Sequence, residues 1–423
     1  MTFTRRTNFT VFAAVFLCIQ PSCCNAQSDA GDVIGTVFSP RPMAFDTFGA
    51  TLSTIGDDII IGALGAKRGA FFEGAVYLVK GTGPNVGQVV HELRRPMAQD
   101  TDRFGHALAT FGNSIIVADP RYGIPGVESA GAVHIYDSIS GNHVRTIHNP
   151  SPFRMDLFGW DIAMLGSTLV VSELSEQVDD PKVYVFDIAS GNLVRTIDKP
   201  ATADDFGRAL AVVGQEIFVG APRDEPNAAL TNSGSVYAFD SLTGILNRKI
   251  DNPTPANFEE FGSEIVGVGE KLVVGGFSDD AYVYEADSGV LLDTIADPGA
   301  NNTYFGSVLA PYGHHLLASS RFGPEAYVID LESGSSLLSF DVPGASDFPA
   351  QVGAFLSLAD LNGNIIVDNP AWDTGTGFPT DEGRVFIVKG IPEPPASLLV
   401  ACGLALLGGA SRFRGRAISP RAN

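Results

Sequence analysis

Short apolar runs punctuated by Gly and Pro recur along the whole chain. That pattern predicts strands and turns rather than helices. Residues 209–253 show it most plainly. Ala209–Val213 reads as a first strand, Gly214 as a turn, and Ile217–Ala221 as a second strand ending in Gly220-Ala221-Pro222. Ser235–Asp240 is a third strand, Thr243-Gly244 a hairpin turn, and Leu246–Ile250 a fourth strand that stops before Pro253. The preceding unit repeats the second half with Val183–Asp187, Ser190-Gly191 and Leu193–Ile197.

Phe-Gly marks the start of each unit, at residues 48, 104, 158, 206, 261 and 305, and a degenerate Val352-Gly353 marks a seventh. The intervals are 44–56 residues. A second Gly follows seven residues after the first in six copies, and Gly363 takes that role, three residues late, in the seventh. Four antiparallel strands at this period predict propeller blades. The seventh copy ends on its third strand, Arg384–Lys389, while Val33–Pro40 matches the fourth-strand pattern of Val194–Pro200. The N-terminal strand is therefore expected to complete the last blade, which removes exposed edges. The predicted fold is all-β, a seven-bladed propeller of four-stranded antiparallel blades, with apolar helices only at the two ends. A six-bladed ring with a separate end is the alternative.

The Phe-Gly and Gly-Ala-Pro markers over residues 33–389 resemble the FG-GAP propellers, the repeat of the integrin α-subunit head. Phe206-Gly207 with Gly220-Ala221-Pro222 is the cleanest copy. Ala118-Asp119-Pro120, Gly275-Gly276 and Asp368-Asn369-Pro370 depart from it. In that family some blades hold Ca²⁺ in an Asp/Asn loop between strands one and two. The resemblance implies Asp360, Asn362 and Asn364 as candidate Ca²⁺ ligands, but the loop is short of the oxygen set a tight site needs. A simple turn is the competing reading, and no other cofactor is expected.

Length and composition then fall into place. A chain of 423 residues would ordinarily be two or three domains, but the repeats assign residues 27–390 to one ring. A hydrophobic fraction of 45 % with 18 % charged residues excludes disorder. A net charge of −21 argues against nucleic acid and against an anionic membrane surface as partners.

The ends read as targeting segments. Arg5-Arg6, the apolar run Val11–Ile19 and Cys24-Asn25-Ala26 predict a signal peptide over 1–26; Thr4-Arg5-Arg6 leaves a twin-arginine route open. Residues 391–423 contain Pro392-Glu393-Pro394, an apolar run Ala396–Ala410, and Arg412, Arg414 and Arg416. This order resembles the PEP-CTERM sorting signal of Gram-negative bacteria. The resemblance implies export across the inner membrane, a transient C-terminal anchor, processing by an exosortase, and delivery to the cell surface or exopolysaccharide matrix. A plain tail anchor is the other reading. Without both ends, residues 27–390 carry 21 basic and 47 acidic residues, a net −26, and no Cys. Thiolate zinc sites, cysteine catalysis and iron–sulfur clusters are thereby excluded from that segment.

Function is expected where loops vary. The strand-two-to-three and strand-four-to-one loops share one face, and blades seven, one and two are neighbours in a closed ring. Their loops carry Trp372, Asp373 and Phe378, then Lys67, Arg68, Phe71 and Phe72, then Arg121 and Tyr122. Aromatics beside charges suit a glycan or protein partner; packing of Phe71 and Phe72 onto their own loop is the alternative. Asp46, Asp102, Asp156, Asp204 and Glu259 each stand two places before Phe-Gly. They are expected to cap turns rather than to hold a cation. His314-His315 falls at a strand-one-to-two turn. No Gly-x-Ser-x-Gly, P-loop or His-Glu-x-x-His motif occurs. Three functions remain open: a monomeric, non-enzymatic binding or scaffold protein, a polysaccharide-active enzyme, and a quinoprotein-like dehydrogenase. The last rests on Val236–Gly244, which resembles quinone-propeller repeats without their Trp content or vicinal disulfide.

Overall fold

The computed structural model describes residues 30–391 except 44–45, 70, 98–102, 176–179, 226–229, 300–303, 321–324, 342–356 and 370–382. The signal-peptide segment, the C-terminal segment from residue 392 onwards, Asp102, the Val352-Gly353 marker, Trp372, Asp373, Phe378, Pro392, Glu393, Pro394, Arg412, Arg414 and Arg416 lie outside the described residues.

Seven four-stranded antiparallel sheets form a closed ring of blades, which excludes the six-bladed alternative. In every blade the first strand is innermost, and first strands of neighbouring blades contact one another all the way round. Blade four uses Leu210–Val213, Glu216–Ala221, Ser235–Asp240 and Leu246–Asp251, within two residues of the sequence reading. The expected closure is present. Blade seven consists of Leu358–Leu361, Asn364–Asn369, Arg384–Val388 and the N-terminal strand Val33–Phe38, which pairs with Arg384–Val388. Among the described residues no helix occurs.

The Phe-Gly marker has a packing cause. Phe48, Phe104, Phe158, Phe206, Phe261 and Phe305 are at most 2 % exposed. Each ring meets the same third-strand position, filled by Tyr77, His134, Tyr184, Tyr237, Tyr282 and Tyr327, at centroid distances of 5.6–6.2 Å. Full burial of one such ring stabilises by roughly 2–3 kcal/mol. Backbone bridges run from Gly74 to Phe104, from Gly131 to Phe158 and from Gly234 to Phe261, each joining one blade to the next. The Gly of Gly-Ala-Pro serves the same joint. A Cβ on Gly220 would stand 1.9 Å from the carbonyl oxygen of Gly262 in blade five. The recurring markers are thus the seams between blades.

Second and third strands are buried on both faces, as in Ser235–Asp240, whereas fourth strands are the outer rim, with their first two residues exposed in Leu193–Asp198 and Leu291–Ala296. In blades two, three, four and six the hairpin into the fourth strand is closed by an Asp that accepts from a hydroxyl residue three places on, and in blade five Glu285 and Ser288 take these places. Asp187 Oδ1 takes Ser190 N–H at 2.8 Å, and Asp240 Oδ1 takes Thr243 N–H at 2.7 Å. These bonds hold the Asp187 and Asp240 carboxyls below the usual range.

Candidate functional site

The face carrying the strand-two-to-three and four-to-one loops is built differently from blade to blade. In blade one, Lys67–Arg68 pairs with Phe71–Phe72 as a two-rung hairpin. Lys67 Nζ lies 3.9 Å from the Phe72 ring centroid, and Arg68 Nε lies 2.6 Å from Glu73 Oε1. Phe71 stays exposed. Tyr122 does not belong to an exposed aromatic patch. It is buried, with its ring 5.2 Å from His134 and 5.9 Å from His148. Its backbone carbonyl accepts Gly131 N–H at 2.9 Å, so the loop folds back over it. Arg121 beside it remains exposed.

That returning loop creates a feature the sequence reading missed. Ile124 and Val127 exchange both backbone hydrogen bonds, at 3.0 and 2.9 Å, around Pro125-Gly126. Gly126 has φ +85, the conformation that a Pro-Gly turn needs at its second central residue. Beneath the turn lies an open groove of roughly 640 Å³ lined by Met97, Arg121, Ile124, Val127, Glu128 and Arg154 among others. Pro125-Gly126 in a long loop was the available signal.

A second missed feature lies towards the channel. The residue directly after Phe-Gly is His106 in blade two, Trp160 in blade three and Arg208 in blade four. Ring closure stacks them. His106 and Trp160 rings lie 4.6 Å apart, and the Arg208 guanidinium stands 5.0 Å from the Trp160 ring centroid, with that of Arg103 at 5.8 Å. Burial and the charges of Arg103, Arg208 and Arg121 push His106 down to about 3, so it is a neutral imidazole at physiological pH. Next to Trp160, the Asp161 carboxylate accepts the amides of Leu210 at 2.7 Å and Ile162 at 2.8 Å, and burial raises it to about 6.

Below the loop face, one repeat position carries a buried acid in two blades. It is Asp119 in blade two and Glu173 in blade three, where blade four has Ala221 of Gly-Ala-Pro. Asp119 is ion-paired with fully buried Arg95 at 2.8 Å and lies 3.6 Å from His134 Nε2. Among the described residues no cation is ion-paired with Glu173, and Lys182 acts on it only weakly. Asn149 Nδ2 donates to it at 3.0 Å and Tyr184 Oη at 3.3 Å. Burial and the neighbouring Asp156 carboxylate push Glu173 up to about 8. Burial also raises Asp156 and Glu73, the latter despite Arg68, Arg94 and Arg95 nearby. Glu173 and Asp156 are buried, so neither reaches bulk solvent to meet a substrate.

The acids two places before Phe-Gly serve their own loops. Asp46 accepts Phe48 N–H at 3.2 Å and Ser39 Oγ at 2.8 Å; Asp156 accepts Phe153 N–H at 2.5 Å; Glu259 accepts Ala256 N–H at 2.9 Å and Asn252 Nδ2 at 2.7 Å. At the candidate Ca²⁺ loop, Asn362-Gly363 forms a hairpin turn with φ values of +50 and +82. Asp360 Oδ1 takes Gly363 N–H at 2.9 Å, and Asn362 Nδ2 donates to Asp57 Oδ1 at 2.7 Å. Asn364 begins the next strand. Among the described residues no group of three or more His, Cys, Asp or Glu could hold a metal ion. His314 and His315 line a separate cavity of roughly 400 Å³ on the opposite face, with Lys271, Asp330 and Glu332.

No curated protein sequence matches the chain. Among solved structures, the computationally designed protein Ika8 resembles it with a TM-score of 0.51 at 13 % identity, covering 83 % of this chain and 98 % of that one. That likeness concerns the fold alone. Residues 198–239, which contain the cleanest copy of both markers, match the FG-GAP repeat family, and the repeat stands in a seven-bladed ring.

Proposed function

We propose that the protein is an exported, non-enzymatic binding or scaffold propeller of a bacterial cell surface or exopolysaccharide matrix, and that its loop face takes a glycan or surface protein. The observation that carries this reading is the opposition of groove and tail. The closing strand pair ends at the turn face, where Lys389 N–H donates to Asp32 O at 2.9 Å and Tyr312 Oη donates to Ile391 O at 3.2 Å. A sorting tail over 391–423 would leave from that face and hold the groove of Met97, Arg121 and Ile124 outwards. Transient partners would be an exosortase and the inner membrane, and no cofactor is needed.

The test has two arms. Deleting 391–423 should abolish surface display, and the full-length chain with Ile124→Asp and Arg154→Glu should lose retention on isolated matrix. Unchanged display refutes the sorting role. Unchanged retention refutes the groove, and turnover of the matrix polysaccharide by the wild-type chain refutes the non-enzymatic reading.

A further inference from the structure

We propose that the turn face seats on a lipid bilayer through the hairpin tips of blades two to four, opposite the point where the C-terminal tail leaves the ring. This rests on the sorting-tail reading proposed above and goes beyond it: the tail tethers the ring, and the hairpin tips lay it flat.

The hairpins into the fourth strands carry different tips round the ring. Two places after the turn Asp or Glu stand Ile139, Ala189 and Leu242 in blades two to four, but Asp287 and Glu332 in blades five and six. Ile139 is 73 % exposed and Leu242 66 %. Val144, Leu193, Val194 and Ile245, in or just past the same turns, are exposed as well. Neighbouring hairpins are in contact. A Cβ on Gly191 would stand 2.7 Å from Arg145 Cδ in the preceding blade, and one on Gly244 would stand 2.5 Å from Arg195 Cδ. Arg195 Nη1 also donates to Ser241 O at 2.6 Å. The aliphatic side chains therefore form one row along three blades, an exposed apolar patch of the kind that marks a contact surface.

The chain end says what covers it. The Tyr312 hydroxyl of blade six lies 2.6 Å from Gly363 O of blade seven and 3.2 Å from Ile391 O. The exit is thus at the seam of blades six and seven, opposite blade three in a ring of seven. Only Pro392-Glu393-Pro394-Pro395 separate Ile391 from the apolar run Ala396–Ala410. Five peptide steps span at most roughly 18 Å. An apolar run that enters a bilayer draws the turn face to within that distance of it. One tether leaves the ring free to tilt. The apolar row supplies a second contact on the far side of the same face, and the two together hold the loop face outwards. Aliphatic tips seat by burying area at the boundary of headgroups and acyl chains, which needs no basic surface, so the net charge of −26 does not oppose them. Asp287 and Glu332 keep blades five and six out of the acyl region, because a carboxylate is costly to bury.

The experiment reconstitutes the full chain in vesicles of phosphatidylethanolamine and phosphatidylglycerol that contain a phospholipid with a photoreactive diazirine on its acyl chain. Mass spectrometry then maps the lipid adducts. Segments 137–145 and 240–246 should be labelled at least tenfold more than the loop-face segment 122–131. Joint substitution of Ile139→Asp, Leu242→Asp and Ile245→Asp should cut that labelling at least tenfold, with tail labelling and the thermal midpoint unchanged. Labelling confined to the tail, equal labelling of both faces, or indifference to the substitutions overturns the seating and leaves the tail reading intact. Association of chains in detergent that the three substitutions dissolve assigns the patch to a second copy, and likewise overturns it. A full chain that never enters the vesicles refutes the sorting-tail reading, and this inference with it.

Discussion

Replacing Glu173 by Gln should make the propeller's stability less sensitive to pH. Glu173 is buried at the end of the second strand of blade three, with two neutral donors, Asn149 and Tyr184, and the Asp156 carboxylate close by. Its folded-state value rises from 4.5 to about 8, burial being the larger cause and Asp156 the next. A group raised in this way favours folding fully below its unfolded value. That contribution is lost as pH climbs through the folded value. The interval amounts to roughly 4–5 kcal/mol at ~1.4 kcal/mol per pH unit. Unfolding entropy of about 2.1 cal/mol/K per residue over roughly 360 residues converts this to about 5–6 °C. Melting curves at pH 5 and pH 8.5 should therefore show Glu173→Gln close to wild type at the lower pH and about 5 °C above it at the higher. The difference between the two proteins isolates Glu173 from the other raised acids, Asp161 and Asp368. A difference that stays constant between pH 5 and 8.5, or a variant that melts below wild type at pH 8.5, refutes the assignment.

Arg95→Met should destabilise by about 3–5 kcal/mol, because it strands buried Asp119 without its cation. Adding Asp119→Leu should restore much of the loss in urea titrations, and full additivity of the two would refute the pairing. Gly220→Ala should lower the melting point far more than Gly112→Ala. The first Cβ would meet the Gly262 carbonyl at 1.9 Å in the next blade, while the second meets nothing within 4 Å and adds only its left-handed strain of about 1 kcal/mol. Equal effects would refute the seam. Adding Ca²⁺ or a chelator should leave the melting point unchanged, since Asp360 and Asn362 are already bonded within and beside their own turn; a Ca²⁺-dependent rise of several degrees would show the turn reading to be wrong.

The ring itself was legible because it is written six or seven times. Phe-Gly, the turn Gly and the Gly before the fourth strand each recur where the backbone demands them, so strand order, blade number and the N-terminal closure followed from spacing. The site was legible only in part. Tyr122 looked like a surface aromatic because its burial depends on a loop that doubles back through Gly131, a tertiary fact with no local pattern. His106, Trp160 and Arg208 occupy one repeat position, but 48–54 residues separate them in sequence, and only closing the ring brings them together. Asp119 and Glu173 share a position too. Their opposite chemistry is decided by the residue before the fourth-strand proline, Arg95 in one blade and Asn149 in the next. Comparing the repeats column by column, instead of scanning for motifs, would have exposed both sets.

The pairing of Val33–Phe38 with Arg384–Val388 also sets a timetable. The clasp's first half is among the earliest parts of the ring to be synthesised and its second half is the last. Until residue 388 is available, a growing ring keeps two unsatisfied strand borders, one on the last blade's second strand, Asn364–Asn369, and one on the waiting N-terminal segment. Joining ends some 350 residues apart costs roughly 5 kcal/mol of chain entropy, which only the finished blade repays. A chain interrupted anywhere before that point cannot shut. It stays open to proteases and to pairing with other chains. The clasp is in effect a test of completeness, passed only by a molecule that has been made to its final strand.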